Sequence, residues 1–80
     1  MNSFHLVISS VGETLFDGSV LSATLPGSDG ELTVLAHHEP LVTTLVNGTI
    51  TVRTQSGEPR EFTVRSGVLE VSNNRIVVLL

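Results

Sequence analysis

The sequence predicts a small all-β domain, folded as an antiparallel sandwich or barrel. Apolar side chains recur at every second position through much of the chain, which is the spacing that places them on one face of a pleated strand. The spacing of an amphipathic helix is nowhere sustained. Turn-forming pairs such as Pro26-Gly27, Asn47-Gly48 and Asn73-Asn74 separate the apolar segments. Short strands separated by turns about every 8–12 residues are typical of β-sandwiches and barrels.

The alternation defines the individual strands. The segments that we predict as strands are 4–9, 20–25, 32–36, 41–46, 49–54, 61–65, 68–71 and 75–80. Pro26 lacks the N–H that a strand ladder needs, so we expect the second strand to stop there. Asn-Gly tolerates positive φ, so Asn47-Gly48 is predicted to join the fourth and fifth strands as a hairpin. Asn73-Asn74 is predicted to form a tight turn before the last strand.

Two segments also predict which side chains are buried. In the segment 61–65, Phe62 and Val64 alternate with charged and hydroxyl residues, so they should point into the core. The segment 76–80 is apolar at every position, which is typical of a strand covered on both faces. This end of the sequence fits either an engineered domain boundary or a last strand that lies centrally in a sheet.

Length and composition limit the possible classes of protein. The 80 residues are enough for one domain, which we place at 1–80. The absence of cysteine excludes disulfides, thiolate metal sites and thiol nucleophiles. The net charge of −4, with only four basic residues, argues against binding to nucleic acid or anionic lipid. No apolar run approaches the roughly 20 residues of a membrane helix, and Met1 to Phe4 do not begin a signal peptide.

The sequence carries no motif for catalysis or cofactor binding. It lacks the Gly-x-Ser-x-Gly motif of a serine nucleophile. The glycines of 27–30 resemble a phosphate-binding loop, but no lysine follows, so a β-turn is the better interpretation. His37, His38 and Glu39 have the chemistry of metal ligands, but adjacent residues of an extended chain point to opposite sides. We interpret them as a polar loop and predict no catalytic residue, metal or cofactor.

Two loops of unusual composition remain, at 26–31 and at 37–40. Loops that project from a rigid scaffold are common sites of recognition. We therefore predict that the chain acts by binding partner proteins.

Several short motifs follow one another along the chain in a fixed order. They are Phe4 to Ser9, Leu15-Phe16-Asp17-Gly18, Gly27-Ser28-Asp29-Gly30-Glu31-Leu32, His38, Pro40-Leu41, Gly48 and Ser66-Gly67-Val68-Leu69-Glu70-Val71. In this order and spacing, over essentially the whole chain, they resemble the N-terminal β-sandwich domain of the ε subunit of F-type ATP synthases.

The resemblance implies a flattened sandwich of about ten short strands that serves as a non-catalytic central-stalk subunit of a proton-translocating ATP synthase. Such a subunit couples the γ shaft to the membrane c ring. The resemblance implies contact with the c ring for Ser28, Asp29, Gly30 and Glu31, and contact with the γ subunit for Ser10, His38, Glu39 and Pro40. It also implies a peripheral position at the cytoplasmic face of a bacterial cell membrane, reached only through the complex.

The chain departs from the family pattern in three places. The family usually has Pro-Gly-His where this chain has Ala36-His37-His38, and a second glycine where this chain has Val68. The family also commonly carries a two-helix hairpin after the position of Leu80, and we assign neither its inhibitory role nor its ATP binding to this chain.

Two other hypotheses stay open. The chain could be a free-standing β-sandwich binding or scaffold module, although three Phe and no Trp or Tyr make a carbohydrate-stacking platform hard to build. It could also be a small metalloenzyme that uses His37, His38 and Glu39.

Overall fold

The protein, seen in a computed structural model that describes residues 2–80, consists of β-strands joined by short turns. Met1 lies outside the described residues. It belongs to the predicted domain 1–80 and to the N-terminal segment that we interpret as lacking a signal peptide. The strands are β1 (Phe4–Ser10), β2 (Glu13–Val20), β3 (Ser22–Gly27), β4 (Gly30–Leu35), β5 (Leu41–Leu45), β6 (Gly48–Arg53), β7 (Pro59–Val64), β8 (Gly67–Ser72) and β9 (Arg75–Leu79). Within residues 2–80 there is no helix that could cross a membrane.

The nine strands form one continuous sheet that curls around a single core. Its order is β2-β1-β9-β8-β5-β3-β6-β7, with β4 paired to β3. We call β2, β1, β9, β8 and β5 the front half, and β4, β3, β6 and β7 the back half. Alternate side chains of both halves fill the core: Phe4, Leu6, Ile8, Val20, Ala23, Leu25, Val34, Leu45, Ile50, Val52, Val64, Leu69, Val71, Ile76 and Val78. The predicted all-β sandwich is thereby confirmed.

One strand pair departs from the predicted antiparallel arrangement. β1 and β9 run parallel, with Leu6 beside Ile76 and Ile8 beside Val78. Local turns produce only antiparallel neighbours, whereas these two strands lie at the two ends of the chain and meet without a connecting turn. The last strand lies centrally in the sheet, between β1 and β8, which agrees with one of the two interpretations of its apolar sequence.

β5 and β6 form a bent corner, and the predicted hairpin at Asn47-Gly48 is wrong. The two strands do not pair with each other; both run antiparallel to β3, with Leu45 facing Gly27. β5 then pairs with β8 in the front half and β6 pairs with β7 in the back half. The N–H of Val46 donates to the carbonyl of Pro26 at 2.9 Å and fixes the bend. The chain therefore crosses between the two halves at this corner.

Gly48 is required at the corner because the two backbones approach closely there. A Cβ at position 48 would lie 2.8 Å from Cβ of Pro26 and 3.0 Å from its Cγ, and a proline ring cannot rotate away. We expect Gly48→Ala to lower the free energy of unfolding by about 1–3 kcal/mol, measured by urea denaturation.

The matched control is Gly18→Ala, because its new Cβ would lie 3.6 Å from the nearest atom, a ring carbon of Phe16. We expect this control to stay within about 0.5 kcal/mol of the parent. Equal losses in both variants would show that close packing at the corner is not the cause.

The second predicted strand is divided differently in the structure. The segment 20–25 spans the end of β2 and most of β3, and the strand from Glu13 to Val20 was not recognised in the sequence. β3 also continues through Pro26 to Gly27, so the prediction that it stops at Pro26 is wrong. Proline is tolerated there because the missing N–H would face the bend of the corner, where regular pairing is interrupted.

Other predictions about individual residues are confirmed. Asn73 and Asn74 have φ of 51° and 58°, as a primed hairpin turn requires. Val64 is buried and Phe62 packs partly buried against the core. The prediction that the last strand is covered on both faces is wrong, since Leu79 is 55% exposed.

Side chains close the gap between the two ends of the sheet. The rings of Phe16 in β2 and Phe62 in β7 meet edge to face, with centroids 6.0 Å apart. The guanidinium of Arg60 lies 5.2 Å and 5.3 Å from the two ring centroids, within the range of cation–π attraction. The front and back halves are thus held together along this seam without backbone pairing.

Candidate functional site

The outer surface of the front half carries a row of apolar side chains that the core does not use. We call this the apolar strip and define it as Val7, Val77, Leu79, Val68 and Val42. Val7 lies beside Val77 on the neighbouring strand, and Leu79 lies beside Val68. Val42 is 69% exposed, Leu79 55% and Val68 41%. A contiguous apolar surface of this kind is typical of an interaction site.

Charged groups lie both beside the apolar strip and within it. Asp17 lies beside Val7, and Glu70 lies between Val77 and Val42 in the strand register. Nε2 of His5 donates to Oδ1 of Asp17 at 2.6 Å. Protein–protein interfaces combine apolar side chains with polar groups, so a carboxylate inside the strip is compatible with a protein partner.

The outer surface of the back half has a different character. Threonines occupy its centre, with Thr24 facing Thr33 on β4 and Thr51 on β6, and with Thr49 facing Thr63. The hydroxyls of Thr24 and Thr33 are 3.3 Å apart and hydrogen-bonded. Because threonine combines a β-branched side chain with a hydroxyl, this surface suits contact with water. The two outer faces therefore differ in their suitability for a protein partner.

The four residues predicted to meet the c ring lie together at one end of the sandwich. Ser28 and Asp29 form the two-residue turn between β3 and β4, and Gly30 and Glu31 begin β4. All four are exposed. The N–H of Ser28 donates to the carbonyl of Thr44 at 3.0 Å, which ties the turn to β5. The turn is therefore held in a defined position.

The loop predicted to meet γ joins β4 to β5 at the opposite end. Its backbone depends on His37, which has φ of 64°, a conformation that favours glycine. The N–H of His37 donates to Oδ1 of Asn74 at 2.7 Å, and Nδ2 of Asn74 donates to the carbonyl of Ser3 at 2.9 Å. Nδ1 of His38 donates to the carbonyl of Glu39 at 2.8 Å. The Asn74 side chain thus connects this loop to the β8–β9 turn and to the start of β1.

The structure does not bring Ser10 close to His38, Glu39 and Pro40. Ser10 ends β1, whereas the loop is tied to the residues just before that strand. The length of β1 separates them by about 20 Å, at about 3.3 Å per residue. Ser10 instead lies at the same end as the turn at 28–29. The carbonyl of Ser9 accepts from the N–H of Leu80, at the end of β9 that lies beside the start of β8. The start of β8 faces Leu45, which in turn faces Gly27 next to the turn. A partner that contacts both must extend along the front half.

The described residues do not assemble a metal centre. Within residues 2–80, no group of three or more His, Asp or Glu side chains is placed to hold a metal ion. In the same part of the chain, every buried side-chain nitrogen or oxygen has a hydrogen-bond partner. The hypothesis of a metalloenzyme built on His37, His38 and Glu39 therefore has no geometric support.

Comparison with known proteins places the chain in a family. Residues 3–80 match the family model described as ATP synthase, Delta/Epsilon chain, beta-sandwich domain. The chain belongs to this family. It is 34% identical to the ATP synthase epsilon chain of Delftia acidovorans over 99% of its length and 35% identical to that of Wolbachia pipientis wMel over 99%. It spans 57% and 69% of those two relatives.

Solved structures share the fold of this family member. A chain of the Euglena gracilis mitochondrial ATP synthase superposes with a TM-score of 0.91 at 23% identity, over 96% of this chain and 49% of that one. A chain from the central stalk and c ring of the Tetrahymena thermophila mitochondrial ATP synthase gives 0.79 at 12% identity, over 94% and 60%. At these identities the likeness establishes the fold.

Two departures from the family pattern have structural explanations. His37 stands at the position of the family's glycine and still adopts the left-handed conformation, with Asn74 accepting its N–H. Gly67 is needed because a Cβ there would lie 2.6 Å from the carbonyl oxygen of Leu79. Val68 instead points outward, where its side chain extends the apolar strip.

The apolar strip was not predicted from the sequence. A signal was present in the last strand, where every position from 76 to 80 is apolar. The register of β1, β9, β8 and β5 is needed to show that Val77 and Leu79 of this strand lie on the same surface as Val7, Val68 and Val42.

Proposed function

We propose that this chain is a non-catalytic part of the rotor of a proton-translocating F-type ATP synthase, coupling the γ shaft to the membrane c ring. It would lie at the cytoplasmic face of the membrane, attached only through the complex and without a cofactor of its own. Family membership supports the assignment to the ATP synthase. The apolar strip is the observation that carries the proposed role, because its exposed side chains need a partner to cover them.

The γ subunit is the proposed partner of the apolar strip. Val42, Val68 and Leu79 are 41–69% exposed, so covering them completely would contribute about 1–2 kcal/mol for each side chain. Ser10 lies at one end of the front half, and the loop with His38, Glu39 and Pro40 lies at the other. A γ interface that includes both ends would pass over the strip, so these separated residues fit one extended contact.

The c ring is the proposed partner of the turn at Ser28, Asp29, Gly30 and Glu31. Two carboxylates on a fixed, exposed turn would attract basic groups of the ring. Each exposed ion pair contributes only about 0.2–1 kcal/mol, so this contact would orient the subunit more than it would hold it. Affinity for the rotor would come mainly from γ.

Co-expression with the γ subunit from the same organism tests the proposed function. We expect the two chains to co-purify as a stable one-to-one complex, detected by size-exclusion chromatography with light scattering. A folded chain, verified by circular dichroism, that fails to bind γ would overturn the proposal and favour a free-standing binding module.

The charge of Glu31 tests the proposed contact with the c ring. We expect Glu31→Lys to weaken binding of the γ-bound chain to detergent-solubilised c ring by about two- to fivefold at low salt. The effect should shrink as salt is raised, because ions screen exposed charges. The measurement is biolayer interferometry on immobilised ring.

The control for that measurement is Glu61→Lys, which reverses another exposed charge, on β7 of the back half. It should leave ring binding unchanged. If both reversals weaken binding equally, net charge and not the turn would be responsible.

A further inference from the structure

β4 leaves one edge of the sheet open. Among residues 2–80, β4 pairs with β3 alone. Gly27 faces Gly30 across the two-residue turn between these strands, and the pair that closes such a turn exchanges its backbone hydrogen bonds. Since hydrogen-bonded and non-hydrogen-bonded pairs alternate, Glu31, Thr33 and Leu35 direct their N–H and C=O groups away from β3.

Pro26 agrees with this assignment of the backbone groups. It faces Glu31 in the register, so by the same alternation it makes no bond to β4. Its carbonyl accepts from the N–H of Val46 at 2.9 Å on the far side of β3. The free edge of β4 therefore presents three backbone donors and three acceptors.

The other two ends of the sheet are protected against strand addition, whereas β4 is not. β2 carries a bulge in its pairing with β1, together with Glu13 and Asp17. β7 begins with Pro59, Arg60 and Glu61 and lies against the aromatic seam. Bulges, prolines and charges are the usual means of blocking an edge. β4 has only Glu31, at its start, and Leu35 is 58% exposed.

A groove runs beside the open edge, between β4 and β5. It has a volume of about 250 Å³ and is lined by Gly27, Asp29, Gly30, Glu31, Leu32, Leu41 and Thr43. Leu32 and Leu41, both partly buried, supply an apolar surface. Two carboxylates stand at one end of the groove. β5 contributes a second open edge here, because it meets β3 only at Leu45.

We propose that the open edge of β4 accepts an extended segment of a partner protein by strand addition. The segment alternates apolar with polar residues and carries a lysine or arginine near one end. Its apolar side chains would enter the groove over Leu32 and Leu41, and its cation would face Asp29 and Glu31. Backbone bonds to Glu31, Thr33 and Leu35 would hold the segment in register. The proposal goes beyond the rotor assignment. It shares Asp29 and Glu31 with the proposed c-ring contact, so it is tested on the chain by itself, without γ or the ring.

A synthetic peptide with this pattern tests the proposal on the 80-residue chain. The probe is Lys-Val-Thr-Val-Thr-Val-Lys, blocked at both ends and labelled for fluorescence anisotropy. Its control, Lys-Thr-Val-Val-Val-Thr-Lys, has the same composition and charge without the alternation. We expect saturable binding of the probe and at least about tenfold weaker binding of the control, because the three valines of the control cannot all face the groove.

A pair of variants at Thr33 separates backbone pairing from side-chain contact. Thr33→Pro removes one N–H from the open edge without removing a bond to β3, while Thr33→Ala keeps that N–H. Both lose the same hydroxyl contact to Thr24. We expect Thr33→Pro to bind the probe about tenfold more weakly than Thr33→Ala. Equal binding by the two variants would overturn the proposal.

Hydrogen exchange of the unaltered chain provides a test that does not depend on the proline variant folding. The probe should slow exchange at the amides of Glu31, Thr33 and Leu35 and leave the β2 and β7 edges unchanged. Absence of slowing at β4 would overturn the proposal. A concentration-dependent dimer of the chain alone that Thr33→Pro dissociates would also overturn it, by identifying a second copy as the occupant.

Discussion

Replacing Val42 and Leu79 by lysine is expected to lower the affinity for γ by at least about 30-fold, because two apolar contacts of about 1–2 kcal/mol each would be lost. The double variant V42K/L79K also places charges where the proposed interface excludes water, which adds to the loss. Both positions point outward and are more than half exposed in the free chain. Isothermal titration calorimetry with purified γ measures the effect.

The position of these substitutions should keep the chain folded. Position 42 faces Glu70 across the strand pair, so a lysine there gains an opposite charge as its neighbour. Neither side chain belongs to the core. An unchanged thermal unfolding midpoint would verify that any loss of affinity reflects the surface.

The matched control places two lysines on the threonine face of the back half. Thr51 faces Glu61, and Thr63 faces Thr49. T51K/T63K therefore adds the same two positive charges to the outer face of the sheet, and one of them again lies opposite a glutamate. We expect this variant to bind γ as the parent does. A comparable loss in both variants would mean that the γ interface is not located on the apolar strip.

Leu69→Ala is expected to bring the domain close to unfolding. Leu69 is fully buried in β8 between Thr43 on β5 and Val78 on β9. Truncating a buried leucine to alanine costs about 2–5 kcal/mol. The total free energy of unfolding of a domain of this size is about 4–12 kcal/mol, at about 0.05–0.15 kcal/mol per residue. The unfolding midpoint should fall by about 10–30 °C, measured by circular dichroism.

The control for this prediction is Leu35→Ala, because Leu35 also lies within a strand but is 58% exposed. It should change the free energy of unfolding by no more than about 0.5 kcal/mol. A small effect of Leu69→Ala would indicate that the two halves of the sheet do not share one packed core.

Local patterns predicted the parts of the fold that depend on neighbours in the chain. Period-two alternation identified the inward residues Phe62 and Val64, and the two asparagines identified the β8–β9 turn. β2 was missed because its residues are mostly exposed or partly exposed and include Gly18. The corner at Gly48 was misread because its requirement is the distance to Pro26, which the local sequence does not contain.

The candidate site was predictable to a similar extent. Composition drew attention to the turn at Ser28 and Asp29 and to the loop at His37 and His38, and both lie exposed at the ends of the sandwich. The distance between Ser10 and His38 depends on the path of β1. The apolar strip depends on four strands in register, one of them paired in parallel from the far end of the chain.

The parallel pairing of β1 with β9 has a consequence for how the chain acquires its structure during synthesis. One edge of β1 pairs with β9, so the backbone groups of that edge have no partner until β9 has been synthesised. The sheet therefore cannot close until nearly all 80 residues are available. Contacts between such distant parts of a sequence make folding slow relative to helical domains of equal size. While the chain is still emerging from the ribosome, the inward face of β1 and its open edge remain uncovered. The domain is therefore expected to fold as one late, cooperative event instead of strand by strand.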